Sequence, residues 1–217
     1  MESTLSEVRD LFGKKGKRNK YLLYRNYDEL QYLNEWINKP ANNDVVHITM
    51  DSFVETIKNC GKCNDVSDKK IGYGSGLNGI MILLNSPRLI NKFEKDMLKS
   101  DSIKLMKKII SSINLKFDEC YITNLIKCDY SEVLEKPSQI LENCRDFLKD
   151  EIEIMDPRII LVMGEMMPVQ KLVYEKDGIS WFQIEHPITL INNPDLKRPA
   201  WNTLKLLTEK IKEYNNS

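Results

Sequence analysis

Two short apolar runs, GIMILL at 79–84 and IILVMG at 159–164, constrain this chain more than any other feature. Each is continuous rather than alternating. As a strand it must be covered on both faces, which is the mark of a parallel sheet between layers of helix. Both are far too short to cross a bilayer as a helix. Residues 121–126 and 181–185 read as two further short strands. Amphipathic stretches at 52–59, 90–98, 102–113, 138–155 and 165–174 read as helices between them. A last helix over 200–214 carries Leu204, Leu207 and Ile211 on one face. The alternation predicts an α/β fold of three αβα layers around a central, mostly parallel four-stranded sheet. Ligands of such sheets bind outside the carboxyl ends of the strands. Chemistry is therefore expected in the loops after Leu84, after Thr123 and after Glu185.

A chain of 217 residues suits one domain with a small extension. The division expected is an N-terminal extension over 1–50 and a main domain over 51–217. Lysine and arginine number 32, as do aspartate and glutamate. The zero net charge excludes a bulk polycation but allows a local basic face. Lys14, Lys15, Lys17, Arg18, Lys20 and Arg25 form such a run without an acid. A solvated arm explains it, and a phosphate-contacting arm is the sharper alternative. Tyr24, Tyr27, Leu30, Leu33 and Ile37 then follow helical spacing, with Asn26 as N-cap and Pro40 as stop. The opening MESTLSEVRD has no positive-then-apolar pattern, so a cytoplasmic protein without a membrane partner is expected.

Five cysteines in a cytoplasmic chain point to metal ligands or free thiols before disulfides. Cys60 and Cys63 form C-x2-C, and Cys128 and Cys144 follow with fifteen residues between them. Cys120 falls inside a strand run, where a buried free thiol is the ordinary explanation. Four thiolates can hold tetrahedral zinc or an iron–sulfur cluster, and spacing does not separate the two. The isolated second pair is unlike the knuckles of a zinc ribbon, which favours a cluster.

Several motifs then occur in a fixed order: Cys60-x2-Cys63, Gly72-Tyr73-Gly74, Leu84-Asn85-Ser86-Pro87-Arg88, the run Tyr121-Ile122-Thr123-Asn124-Leu125-Ile126-Lys127-Cys128, Cys144, and His186-Pro187-Ile188-Thr189-Leu190. Asn193-Pro194, Leu196-Lys197 and Trp201 follow them. From about residue 52 to 214 the chain resembles the family 4, iron–sulfur-containing uracil-DNA glycosylases. The 121–128 run and the cysteine spacing are the specific parts of the likeness.

The resemblance implies a monomer that removes uracil, or a related deaminated base, from DNA in base-excision repair. It implies a [4Fe–4S] cluster on Cys60, Cys63, Cys128 and Cys144, with zinc as the alternative. His186 would be the donor to the departing uracil's O2, and Asn124 the reader of its N3–H and O4. One amide offers both a donor and an acceptor, whereas cytosine presents the reverse pattern. Asn85, or Ser86 beside it, would orient the attacking water. Asn91 and Leu98 stand where the family has a glutamate and a stacking phenylalanine. Leu190 would be the wedge entering the gap left by the flipped base, and Lys197 and Arg198 would meet phosphates. Each also has a plainer explanation: a capping histidine, an Asx turn, helix-start packing, solvated charge.

The departures cluster in one motif. Leu84 and Arg88 replace two glycines, and Asn85 replaces an acid. They leave a second hypothesis, the same fold binding DNA without cleaving it. A third, a zinc-stapled nucleotide-binding module, must treat the ordered matches as chance.

Overall fold

A computed structural model describes residues 49–63, 66–85, 92–130, 137–166, 169 and 178–216. The basic run over 14–25 and the helix expected at 24–37 lie outside the described residues. Backbone contacts divide the chain into units at 1–42 and 43–217, and all that follows concerns the second.

Its elements in order are α1 (Met50–Lys58), β1 (Val66–Lys69), β2 (Ile80–Leu84), α2 (Lys92–Ser112), β3 (Tyr121–Asn124), β4 (Cys128–Tyr130), α3 (Pro137–Met155), β5 (Ile159–Met163), β6 (Ser180–Ile184), α4 (Pro187–Asn192), a 3-10 turn (Pro194–Leu196) and α5 (Lys197–Asn216). The four-stranded sheet runs β3-β2-β5-β6, and every pairing in it is parallel. The expected αβα architecture is therefore present, with the central sheet wholly parallel.

The pleat divides the core into two layers. Ile80, Ile82, Ile122, Leu161, Met163 and Ile184 pack with Ile109 and Ile110 of α2 and Leu204 and Leu207 of α5. Met81, Leu83, Tyr121, Ile160 and Val162 face the other way, against Leu148 and Ile152 of α3. β2 and β5 are buried nearly throughout, which is why neither run alternates in sequence. Helix α1 is fixed by a capping box between Thr49 and Ser52. It docks on α3 through Phe53, whose ring meets Phe147 edge-on at 6.3 Å.

Two expectations are corrected. The helices at 90–98 and 102–113 are one helix, α2. The polar stretch Lys99-Ser100-Asp101 looks like a break, but it contains no glycine or proline to end a helix, and Asp101 pairs with Lys104 one turn on at 3.1 Å. The second strand ends at Asn124, and the Leu125 N–H gives the last rung of the parallel ladder to the Leu84 carbonyl at 2.9 Å. The helix expected at 165–174 lies mostly outside the described residues. An antiparallel pair absent from the sequence reading, β1 with β4, brings Lys69 opposite Cys128.

The Gly72-Tyr73-Gly74 turn docks on the outer edge of β3. Tyr73 and Ile122 exchange backbone hydrogen bonds at 2.8 and 2.7 Å. Gly74 has φ +93, and a Cβ there would lie 1.9 Å from the Cys120 carbonyl oxygen. Gly74→Ala is expected to cost about 2 kcal/mol or more, from left-handed backbone and a backbone clash together. A urea unfolding midpoint equal to that of the parent protein would contradict this.

Candidate active site

The register of the sheet levels its carboxyl end. Leu84 lies opposite both Asn124 and Met163, and Met163 lies opposite Ile184. Asn124, Asn85, Gly164 and the Glu185–His186 pair therefore leave the sheet along one edge. Four loops meet there; the loop after Met163 was not among those singled out from sequence.

That loop holds Asn85. The Asn85 N–H donates to the Met163 carbonyl at 3.0 Å, and its Nδ2 donates to the Glu165 carbonyl at 3.0 Å. With Nδ2 so placed, Oδ1 is left in a set orientation as an acceptor. The close approach requires Gly164. Its φ is +130, and a Cβ would stand 2.2 Å from the Asn85 carbonyl oxygen. Gln183 closes the loop from β6, donating to the Gly164 carbonyl at 2.9 Å. A glycine directly after an apolar strand was the signal for this loop.

His186 is the N-cap of α4, with Pro187 at the first helical position. It is 4% exposed. Its Nδ1 accepts the Ile188 N–H at 3.2 Å, and this pattern assigns the ring proton to Nε2. Burial, then the positive charge of Lys70, lower its pKa to about 4. Lys70 itself pairs with Asp129 at 2.8 Å. The imidazole is thus neutral at physiological pH and a donor through Nε2, not a general acid.

Asn124 closes β3, half-buried, beside Thr123. Lys197 and Arg198 are exposed at the start of α5. Ser86 and Asn91 lie outside the described residues, as does the side chain of Leu98 on α2. Leu190 is placed otherwise than expected. It is 2% exposed and packed in the core layer that holds Met163, Ile184 and Leu204. Only four residues past the His186 cap, the short helix turns this side chain inward, so Leu190 is a core residue here and not an exposed wedge.

The cysteines form a second cluster of side chains. Cys60 follows α1, Cys63 lies in the next loop, Cys128 opens β4 and Cys144 sits on α3. Lys69 links Cys60 to Cys128, and Asn143, the neighbour of Cys144 in sequence, reaches Cys63. Burial pushes the Cys128 and Cys144 thiols up. Three donors answer them. Lys69 Nζ reaches Cys128 Sγ at 3.6 Å while donating to the Cys60 carbonyl at 2.6 Å. The Lys127 N–H points to Cys144 Sγ at 3.5 Å. Asn143 Nδ2 reaches Cys63 Sγ at 3.4 Å. Donors aimed at sulfur suit thiolates that share a bound positive group, so these four cysteines are the residues that could hold one. Among the described residues no group of three or more His, Cys, Asp or Glu side chains is arranged to hold a metal ion. Cys120 is buried apart, with Asp118 and Glu119 as its charged neighbours and Asn78 Nδ2 on its sulfur at 3.2 Å.

The family model of the uracil DNA glycosylase superfamily matches residues 80–205, more than half of the chain. The chain is similar to the type-4 uracil-DNA glycosylase of Archaeoglobus fulgidus, at 23% identity in an alignment 185 residues long that covers 74% of this chain and 92% of that protein. It is also similar to a DNA polymerase of Bacillus phage SP01, at 29% identity in an alignment 136 residues long that covers 57% of this chain and 15% of that protein.

The low pKa of His186 sets a pH signature. The folded state resists the proton, whereas the unfolded state takes it up near 6.5. Stability from this group is therefore complete above about pH 6.5 and lost as pH falls toward 4. The loss reaches about 3 kcal/mol at the acid end. His186→Gln should flatten that part of the stability curve. An unchanged slope between pH 4 and 6.5 in denaturant titrations would contradict a buried neutral histidine.

Proposed function

The chain belongs to the uracil-DNA glycosylase superfamily, and on that premise we propose that it hydrolyses the N-glycosidic bond of uracil, or a related deaminated base, in DNA. The observation that carries this reading is His186, buried, neutral and protonated on Nε2 at the carboxyl edge of the sheet that also presents Asn124.

The target base must leave the stack before it can reach such an edge. As the bond to the sugar breaks, positive charge grows on the sugar and negative charge on the departing uracil. A donor already oriented at O2 stabilises the negative charge without reorganising, and is worth on the order of 3–4 kcal/mol. A neutral imidazole does this through Nε2–H. Asn124 accepts from N3–H and donates to O4, an arrangement that cytosine leaves unpaired. Asn85 is a weak base, but its amide nitrogen is held by the Glu165 carbonyl, and its oxygen positions water for attack on a sugar that is already electron-poor. Lys197 and Arg198 meet DNA phosphates.

Cys60, Cys63, Cys128 and Cys144 hold a [4Fe–4S] cluster in this reading, with zinc as the alternative. When bound, the group ties the α1 end, β4 and α3 together, and its role is structural. Lys69, Asn143 and the Lys127 N–H serve the sulfurs. Anaerobically purified protein should be brown and carry about four irons per chain. Cys128→Ser should abolish the colour and Cys120→Ser should keep it. One zinc in a colourless protein would sink the cluster assignment.

A second reading keeps DNA binding without cleavage. It is favoured by the altered motif Leu84-Asn85-Ser86-Pro87-Arg88, and by Asn91 and Leu98 in place of an acid and an aromatic ring. Base–aromatic stacking is worth roughly 1–3 kcal/mol, so a leucine there weakens the hold on a flipped base. Slow cleavage is expected, faster from U·G mismatches and single strands than from U·A pairs, because extrusion then costs least.

Single-turnover release of free base from a uracil oligonucleotide, beside hypoxanthine, xanthine and thymine-mismatch counterparts, decides between the readings. His186→Ala should slow release about a hundredfold or more, and Asn124→Asp should weaken it by removing the donor to O4. No release from any substrate would leave the binding reading; release indifferent to both substitutions would put the pocket elsewhere.

A further inference from the structure

Glu151 and Lys127 are buried charges, 0% and 1% exposed, that the proposed chemistry does not use. Glu151 stands on α3 two turns beyond Cys144, so the two share a helix face. Its Oε1 accepts from Tyr121 Oη and from Thr123 Oγ1, both at 2.7 Å. Its Oε2 accepts from Lys127 Nζ, which also donates to Thr123 Oγ1 at 2.7 Å. The Thr123 hydroxyl thus takes one hydrogen bond from the ammonium and gives one to the carboxylate, which closes a ring of polar contacts in the core.

The ring brackets Asn124. Tyr121 and Thr123 precede it on β3, an edge strand, and Lys127 follows it. The Lys127 carbonyl accepts from the Lys70 N–H at 2.8 Å, and its N–H meets Cys144 Sγ. A buried ion pair is a poor device for stability, since desolvation offsets much of its attraction. Its directional bonds do select one alignment of the groups that share it. Three residues of a four-residue strand and its following turn are thereby tied to one carboxylate on α3.

We propose that Glu151, with Lys127, Thr123 and Tyr121, is a positioning device that fixes Asn124 against the cysteine-bearing helix, so that discrimination of the base depends on this buried carboxylate. The functional half rests on Asn124 being the base reader, as proposed above.

Thr123→Val and Tyr121→Phe each remove one donor to Glu151 while keeping shape and leaving the ion pair intact. In the full-length protein, amide exchange at 124–127 should quicken about tenfold in Tyr121→Phe, the scale of one lost hydrogen bond to a charge, and by at least that factor in Thr123→Val, which loses one to Glu151 and one from Lys127. Exchange in α5 and the visible spectrum should not change. The preference for an oligonucleotide bearing 2′-fluoro-deoxyuridine over one bearing 2′-fluoro-deoxycytidine should fall by about the same factor, and Thr123→Ser should restore both. Unchanged exchange and preference in Thr123→Val and Tyr121→Phe would overturn the proposal. So would faster exchange spread evenly into α5, which marks general loosening. A wild-type protein indifferent to uracil and cytosine would instead defeat the reading of Asn124, while exchange at 124–127 still decides the positioning.

Discussion

The parallel register of β3, β2, β5 and β6 is the constraint on which everything else depends. Parallel strands must be buried on both faces, and the alternation of Ile80, Ile82 and Leu161 with Met81, Leu83 and Val162 supplies two apolar layers at once. Because the pairings align Leu84, Asn124, Met163 and Ile184 in one row, the polar residues that follow them share an edge. A one-residue slip would send each side chain to the opposite face and separate the loops. The site is therefore a consequence of how the core is packed.

Two kinds of polar burial sit on that frame, and they behave differently. His186 is buried as a neutral ring, so its low pKa of about 4 needs no counter-ion, and a nearby lysine reinforces the neutral state. Glu151 and Lys127 are buried as partners, and removal of either alone leaves an unpaired charge at a cost of about 3–5 kcal/mol. The first arrangement suits a donor that must not titrate. The second suits a fixed point from which a strand end is aligned.

Much of this was legible in sequence, for physical reasons. β2 and β5 could be read because strands buried on both faces leave continuous apolar runs. The cysteines and the 121–128 run could be read because their side chains are bound to particular partners: Tyr121, Thr123 and Lys127 all answer to Glu151. Glu151 was missed, although it occupies an apolar-face position with Cys144, Leu148 and Met155, where an acid is out of place. β1 and β4 were missed because VSDK and CDY carry no apolar pattern. Leu190 was misplaced because helix-start packing and an exposed wedge look alike in one dimension. Gly164 shows its role only once Asn85 is seen against it.

The central claim is that a flipped uracil lies between Asn124 and His186 at the carboxyl edge of the sheet. A crystal structure with DNA bearing 2′-fluoro-deoxyuridine tests this most directly, since the fluorine disfavours the cationic sugar and preserves the bond. The account predicts the base with O2 at His186 Nε2 and with N3–H and O4 on the Asn124 amide. A base that stays stacked in the duplex, or one held away from both side chains, would contradict it.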